Sequence, residues 1–227
     1  MTEKINIALY TWFIIYVDDT SSKNVGPFSV FTQRFLNRLP QLDPVLDALV
    51  ETLSRMCELY DTQTANYILA ATFNYVHATC LETEIQAGSL MRGVVRFPWF
   101  FRDHSGLSIA FALMLFPKSK GLCFIDYVQV LEDMNFWTSG VNDILSFHKE
   151  ELVGEKGNYV HNRSYVEDKA PSKVLTEICQ EVLVSRKTIY AAFSHVPRAK
   201  EIWAAWELGY IRWHLIQDRY KLATLNL

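Results

Sequence analysis

Asn142, Ser146 and Glu150 stand four residues apart in the run NDILSFHKE. On a helix turning about 100° per residue, their side chains fall within about 80° of one another. All three offer oxygen. Lys149 lands about 20° to the other side of Asn142, on the same face. Oxygen donors suit a hard cation such as Mg²⁺, which keeps positions open for water and phosphate. The neighbouring ammonium suits the phosphate itself. A solvated polar helix face would show the same stripe, so its meaning depends on what else the chain carries.

Three further groups bear on that chemistry. Asp18 and Asp19 close the stretch Ile7 to Val17, which is apolar except for Thr11. Carboxylates at a helix C-terminus oppose the macrodipole, so local stability explains them poorly and a bound cation explains them better. A turn after the helix would also favour Asp. Arg102 opens the run RDHSG, in which Gly106 interrupts an apolar helical pattern. Glycine there costs about 1 kcal/mol relative to alanine, and a break would free backbone carbonyls. Arg219 and Tyr220 follow the aromatic run GYIRWHL. Arginine grips phosphate with two parallel hydrogen bonds, and a phenol can donate to the same oxygens.

The elements that must position these groups read as helices. Hydrophobic residues make up 50% of the 227 positions and aromatics 14%, enough for a sizeable core and against disorder. A net charge of −3 gives no basic field for nucleic acid. Helical periodicity predicts elements near 3–19, 28–38, 43–60, 62–89, 98–116, 119–153, 172–193 and 197–222, with prolines mostly between them. Strand and hairpin signals are weak. The fold expected is all-α, a single domain over 1–227. Cys57, Cys80, Cys123 and Cys179 form no CxxC pair and read as small buried hydrophobes in a reducing compartment. The N-terminal apolar stretch is too short to span a bilayer and lacks a signal-peptide pattern, so a soluble cytoplasmic protein is expected. Helices apolar on most faces, such as Ile7–Val17 and Ile109–Phe116, suit a central position or the wall of a greasy cavity.

Taken in chain order, an acidic pair, an arginine, an N-D-x-x-S-x-x-K-E run and a distal Arg-Tyr pair resemble a class I terpenoid synthase, most closely the trichodiene synthase family of fungal sesquiterpene cyclases. The resemblance covers about residue 5 to residue 223, and NDILSFHKE is its most specific element. It implies a helical bundle around a central apolar cavity. It implies Asp18 holding two of three Mg²⁺ ions and Asn142, Ser146 and Glu150 the third, with Mn²⁺ a substitute metal. Arg102, Lys149, Arg219 and Tyr220 would grip diphosphate. Asp19 would pair with Arg219 on closure, and Ser105 and Gly106 would be the linker and effector positions at the helix break. Trp12, Phe13, Phe73 and Trp137 are candidate wall residues, with core packing the competing role for each. The implied substrate is farnesyl diphosphate and the product a sesquiterpene. No nucleic-acid or membrane-spanning partner is implied, and homodimerisation is left open.

Two departures qualify the resemblance. Ser22 stands where the family pattern has a further Asp, and metal binding is expected to survive that change. Asp18 comes almost at once, whereas the family carries helices before its acidic motif. The expectation is a domain lacking those helices, with apolar surface uncovered. A relative that keeps the fold and binds metal and diphosphate without turnover is therefore the alternative to an active cyclase. A chain elongase would need two Asp-rich motifs, and a bland helical scaffold would bind nothing.

Overall fold

The computed structural model describes residues 2–85 and 90–225. Twelve α-helices succeed one another among them: α1 (Glu3–Ser21), α2 (Gly26–Ser29), α3 (Phe31–Leu36), α4 (Pro44–Ser54), α5 (Met56–Leu59), α6 (Thr62–Glu84), α7 (Phe97–Gly106), α8 (Ser108–Leu113), α9 (Leu131–Val153), α10 (Tyr159–Glu167), α11 (Pro171–Ala192) and α12 (Pro197–Ile216). No strand occurs among the described residues, as an all-α fold requires. No described helix is long and apolar enough to cross a membrane.

Local chemistry sets the helix ends. Asp43 caps α4 by accepting from the Val45 amide at 2.8 Å, and Pro44 takes the first helical position, where a missing N–H costs nothing. Asp61 caps α6 through the Gln63 and Thr64 amides, and Asn158 caps α10 through His161. Gly154 ends α9 at φ +73°, a left-handed conformation that glycine adopts without a Cβ clash.

Several helices differ from the periodicity reading. The element expected over 119–153 begins as helix only at Leu131; short 3₁₀ turns at Lys118–Lys120, Phe124–Asp126 and Val128–Val130 precede it, with Gly121 at φ +67° between the first two. The element expected over 98–116 divides at Leu107, and those expected over 28–38 and 43–60 each divide in two. The predicted extension of α6 through 86–89 lies outside the described residues. Helix α12 stops at Ile216, and Asp218–Tyr220 form a separate 3₁₀ turn. Helix α10 was not anticipated.

The core runs between the helices, with Tyr10, Val17, Leu46, Leu49, Leu53, Ile68, Trp137, Ile178 and Trp203 almost fully buried. The Tyr16 hydroxyl donates to Asp43 Oδ2 at 2.6 Å and joins α1 to the start of α4. Helices α9 and α11 pack along their length, and Gly140 sits at their contact. A Cβ built there would lie 2.5 Å from Val182 Cγ2 and 3.5 Å from Ile178 Cγ2. Val182 is β-branched and stiff in a helix, so it yields poorly. Gly140→Ala is therefore expected to destabilise the fold by about 1–3 kcal/mol despite alanine's better helix propensity, and adding Val182→Ala should recover part of the loss. Urea unfolding followed by circular dichroism checks this; a Gly140→Ala protein as stable as the wild type would contradict the close α9–α11 approach.

Candidate active site

Seven helices border one polar cavity of about 400 Å³, α8 through Ser108 and α12 through Tyr210 among them. Helix α1 gives Asp18, α6 gives Tyr75 and Glu82, α7 gives Arg102, Ser105 and Gly106, and α9 gives Asn142, Asp143, Lys149 and Glu150. Helix α10 adds Tyr159 and Asn162, and Glu155, Asn158 and Arg219 come from neighbouring turns.

Arg102 is the centre of this arrangement. Its Nε donates to the two Asp143 oxygens at 2.8 and 3.1 Å, while Nη2 reaches Asn142 Oδ1 at 3.2 Å and the Ser139 carbonyl at 3.4 Å. The Arg102 and Asp143 side chains are only 14% and 9% exposed. Burial pushes the Asp143 carboxyl up to about 6, against the pull of the Arg102 charge. Gly106 lies one turn beyond Arg102, and a Cβ there would collide with Arg102 Nη1. The chain breaks just after it: Leu107 takes φ +55° between α7 and α8 while 1% exposed. A left-handed leucine costs about 1–2 kcal/mol and persists because packing holds it. The break falls one residue after Gly106, and the missing side chain of Gly106 leaves space for the guanidinium.

Carboxylates gather on the other side. Asp18, Glu82 and Glu155 stand at the exposed rim, and all three are raised above the ordinary carboxylate range. Partial removal from water is the larger cause, followed by repulsion from Asp19 for Asp18, from Asp18 for Glu82 and from Glu150 for Glu155. A bound cation would relieve this crowding. Among the described residues no three His, Cys, Asp or Glu side chains converge into a metal-binding group. A hard cation here would draw on the Asp18 and Glu150 carboxylates, the Asn142 amide oxygen and ligands it brings with it. The donor set fits Mg²⁺, which prefers oxygen and tolerates few protein ligands.

A second cavity of about 750 Å³ adjoins the first and is mainly apolar. Ile7, Thr11, Phe111, Thr138, Trp206 and Trp213 line it, and Ile14, Ile15, Gly106, Asn142, Tyr210 and Arg219 line both. Its volume lies within the roughly 300–1,000 Å³ usual for small-molecule sites. A charged pocket therefore opens onto a greasy one across Asn142, Gly106 and Arg219.

Residues 2–226 match the family model described as trichodiene synthase (TRI5). The chain belongs to the trichodiene synthase family. Terpene synthase BipA of Cochliobolus sativus is 33% identical over 223 residues, covering 96% of this chain and 68% of that protein. Longiborneol synthase CLM1 of Gibberella zeae is 26% identical over 99% of this chain and 68% of its own length. Monoterpene synthase 25 of Postia placenta is 32% identical over 96% of this chain and 66% of its own. The chain thus spans about two thirds of these relatives, and its fold and family are those of terpene synthases.

For this member of the trichodiene synthase family, most residues named from the sequence share the polar cavity: Asp18, Arg102, Ser105, Gly106, Asn142, Lys149, Glu150 and Arg219. Lys149 Nζ sits 3.2 Å from Glu150 Oε1. Ser146, between Asn142 and Glu150 on the stripe, is buried and does not line the wall, and Tyr220 lines the apolar cavity instead. Asp19 and Arg219 are both exposed, and no ion pair joins them.

The four aromatic wall candidates are corrected. Trp12 is 54% exposed and packs on Phe13 and Tyr16. Phe13 lies in the core, Phe73 packs against Phe31 and Phe35, and Trp137 lies behind Tyr210 against Trp203. Helical phase is the reason: Phe13 is about 140° from Asp18, and Trp137 about 140° from Asn142. Stepping back by three, four or seven from Asp18 gives Ile15, Ile14 and Thr11, which do line the cavities. The sequence reading also missed Asp143, Tyr210, Glu82 and Glu155. Asp143 was visible inside NDILSFHKE, about 100° round the helix from Asn142 and only about 20° beyond Glu150, and it faces Arg102.

Gly106→Ala should displace the Arg102 guanidinium without unfolding the helices. Calorimetry with inorganic diphosphate and Mg²⁺ is expected to show at least about tenfold weaker binding, the order found when supporting contacts to a metal site are lost. Wild-type affinity in this variant would mean that the Arg102 position does not matter for the anion.

Proposed function

We propose that the chain is a Mg²⁺-dependent sesquiterpene synthase that ionises farnesyl diphosphate, cyclises the resulting cation and releases diphosphate. The observation that supports this reading most is the junction of a charged, oxygen-rich pocket with an apolar cavity across Asn142, Gly106 and Arg219. An amphipathic substrate with an anionic head and a hydrocarbon tail matches that division, and a family of terpene synthases supplies the reaction class.

Asp18 on one side, with Asn142 and Glu150 on the other, line the cavity and would hold Mg²⁺, with buried Ser146 between the latter two as the remaining oxygen donor of the stripe. Bound there, the ions supply positive charge that stabilises the departing diphosphate. Arg102, Lys149 and Arg219 would add cationic donors from the polar cavity, and the Tyr220 hydroxyl a neutral one from the adjoining cavity, to meet charge growing on the leaving oxygens. The carbon–oxygen bond breaks with its electron pair leaving on diphosphate. The allylic cation would remain among Phe111, Trp206, Tyr210 and Trp213, whose aromatic rings can attract it. Cyclisation forms new carbon–carbon bonds from the substrate's own double bonds. Loss of a proton, or capture of a water molecule, then ends the reaction as a hydrocarbon or an alcohol.

Purified protein incubated with Mg²⁺ and, in turn, geranyl, farnesyl and geranylgeranyl diphosphate should release diphosphate and yield a volatile C15 product from the farnesyl substrate. Turnover of the geranyl substrate alone would correct the chain length. Binding of Mg²⁺ and diphosphate by a well-folded protein that forms no product would support the non-catalytic alternative. Asn142→Ala and Glu150→Ala should each lower turnover by at least about a hundredfold, corresponding to about 2.7 kcal/mol of lost transition-state stabilisation, with helix content unchanged. Near-wild-type turnover in both would sink the assignment.

A further inference from the structure

We infer that His214 is a positioning residue for Asn142: its bare Nε2 holds the carboxamide so that the oxygen, and not the NH₂ group, is available to the cation. The inference rests on the reading of Asn142 as a cation ligand. His214 belongs to α12 and is fully buried, 72 positions from Asn142 in sequence. Its ring lies 4.5 Å from the Tyr210 ring, 5.0 Å from Trp213 and 4.5 Å from Tyr220, measured between centroids. Nε2 is 3.1 Å from Asn142 Nδ2, and Nδ1 is 2.8 Å from the Tyr210 carbonyl oxygen.

Two independent constraints fix the protons. The guanidinium of Arg102 can only donate, so the Asn142 atom it reaches at 3.2 Å must be Oδ1. The atom facing His214 is then Nδ2, a donor, and Nε2 must accept. A backbone carbonyl can only accept, so Nδ1 carries the ring proton. Both arguments give the same tautomer. Turning the amide over would set NH₂ against the guanidinium and Oδ1 against the Nε2 lone pair, two repulsive contacts in place of two hydrogen bonds. Asn142 Oδ1 uses one lone pair on Arg102 and keeps the other for the cavity.

The arrangement ties the distal Arg219-Tyr220 segment to the motif. Tyr220 is 4% exposed and packs its ring on His214, so the turn that carries Arg219 to the cavity also braces the imidazole against Asn142. Partners of this kind commonly contribute one to two orders of magnitude in metal affinity.

The test is a double-mutant cycle read by calorimetry with Mg²⁺ and inorganic diphosphate on the full chain. His214→Phe keeps the ring packing and removes the acceptor. In the native background it should weaken Mg²⁺-dependent diphosphate binding at least about tenfold. In the Asn142→Asp background the side chain has oxygen on both sides and nothing to orient. There His214→Phe should cost less than about twofold or tighten binding, because it removes a lone pair facing a carboxylate. Equal losses in both backgrounds, or no loss in the native one, would overturn the positioning role. If the wild type binds no Mg²⁺ with diphosphate, the cation-site reading itself fails. A second arm needs no metal: nitrogen-15 spectra of the wild type should show His214 protonated at Nδ1 and bare at Nε2. The opposite tautomer would overturn the inference even if Asn142→Asp alone abolishes binding.

Discussion

The pairing of Arg102 with Asp143 is the contact around which the site is arranged. A guanidinium held mostly out of water between α7 and α9 needs an opposing charge and partners for its remaining donors. Asp143 supplies the charge, and Asn142 and the Ser139 carbonyl accept from Nη2. Removing one member of such a pair typically costs about 3–5 kcal/mol, so neither partner is free to drift. The consequences spread through the neighbouring elements. Gly106 must lack a side chain to make room, the helix breaks immediately after it, and Asn142 is held in one amide orientation.

That ordering explains how a polar pocket and an apolar cavity can share a wall. The α7–α8 break and the α9 stripe form the seam. On one side lie carboxylates that raise one another's affinity for protons; on the other lie Phe111, Trp206 and Trp213. At that seam the buried groups already have hydrogen-bond partners, Arg102 on Asp143 and Asn142, and Asn142 on His214.

The helical class was legible because proline and the apolar period mark most elements directly. Helix α10 was missed because HNRSYVE carries little apolar period; its cap, Asn158, was recognised only in the structure. The start of α9 was misjudged because apolar residues continue through the 3₁₀ turns before Leu131, where Gly121 and tight local turns prevail over hydrophobicity. Within the site, charged and amide residues were found because their chemistry narrows their roles. The aromatic wall was misassigned because Phe and Trp serve the core equally well, and phase relative to Asp18 and Asn142 decides between the two. His214 and Tyr210 carry no local signal, since their relation to Asn142 and Arg102 depends on how α12 crosses α9.

The central claim is that one pocket binds cation and diphosphate together beside the apolar cavity. Crystals grown with Mn²⁺ and inorganic diphosphate test it most directly, since anomalous scattering locates the metal independently of the protein. The account predicts metal peaks within coordination distance of Asn142 and Glu150 and on the Asp18 side, with diphosphate between them against Arg102, Lys149 and Arg219. Ordered diphosphate elsewhere, or metal bound away from Asn142 and Glu150, would contradict it.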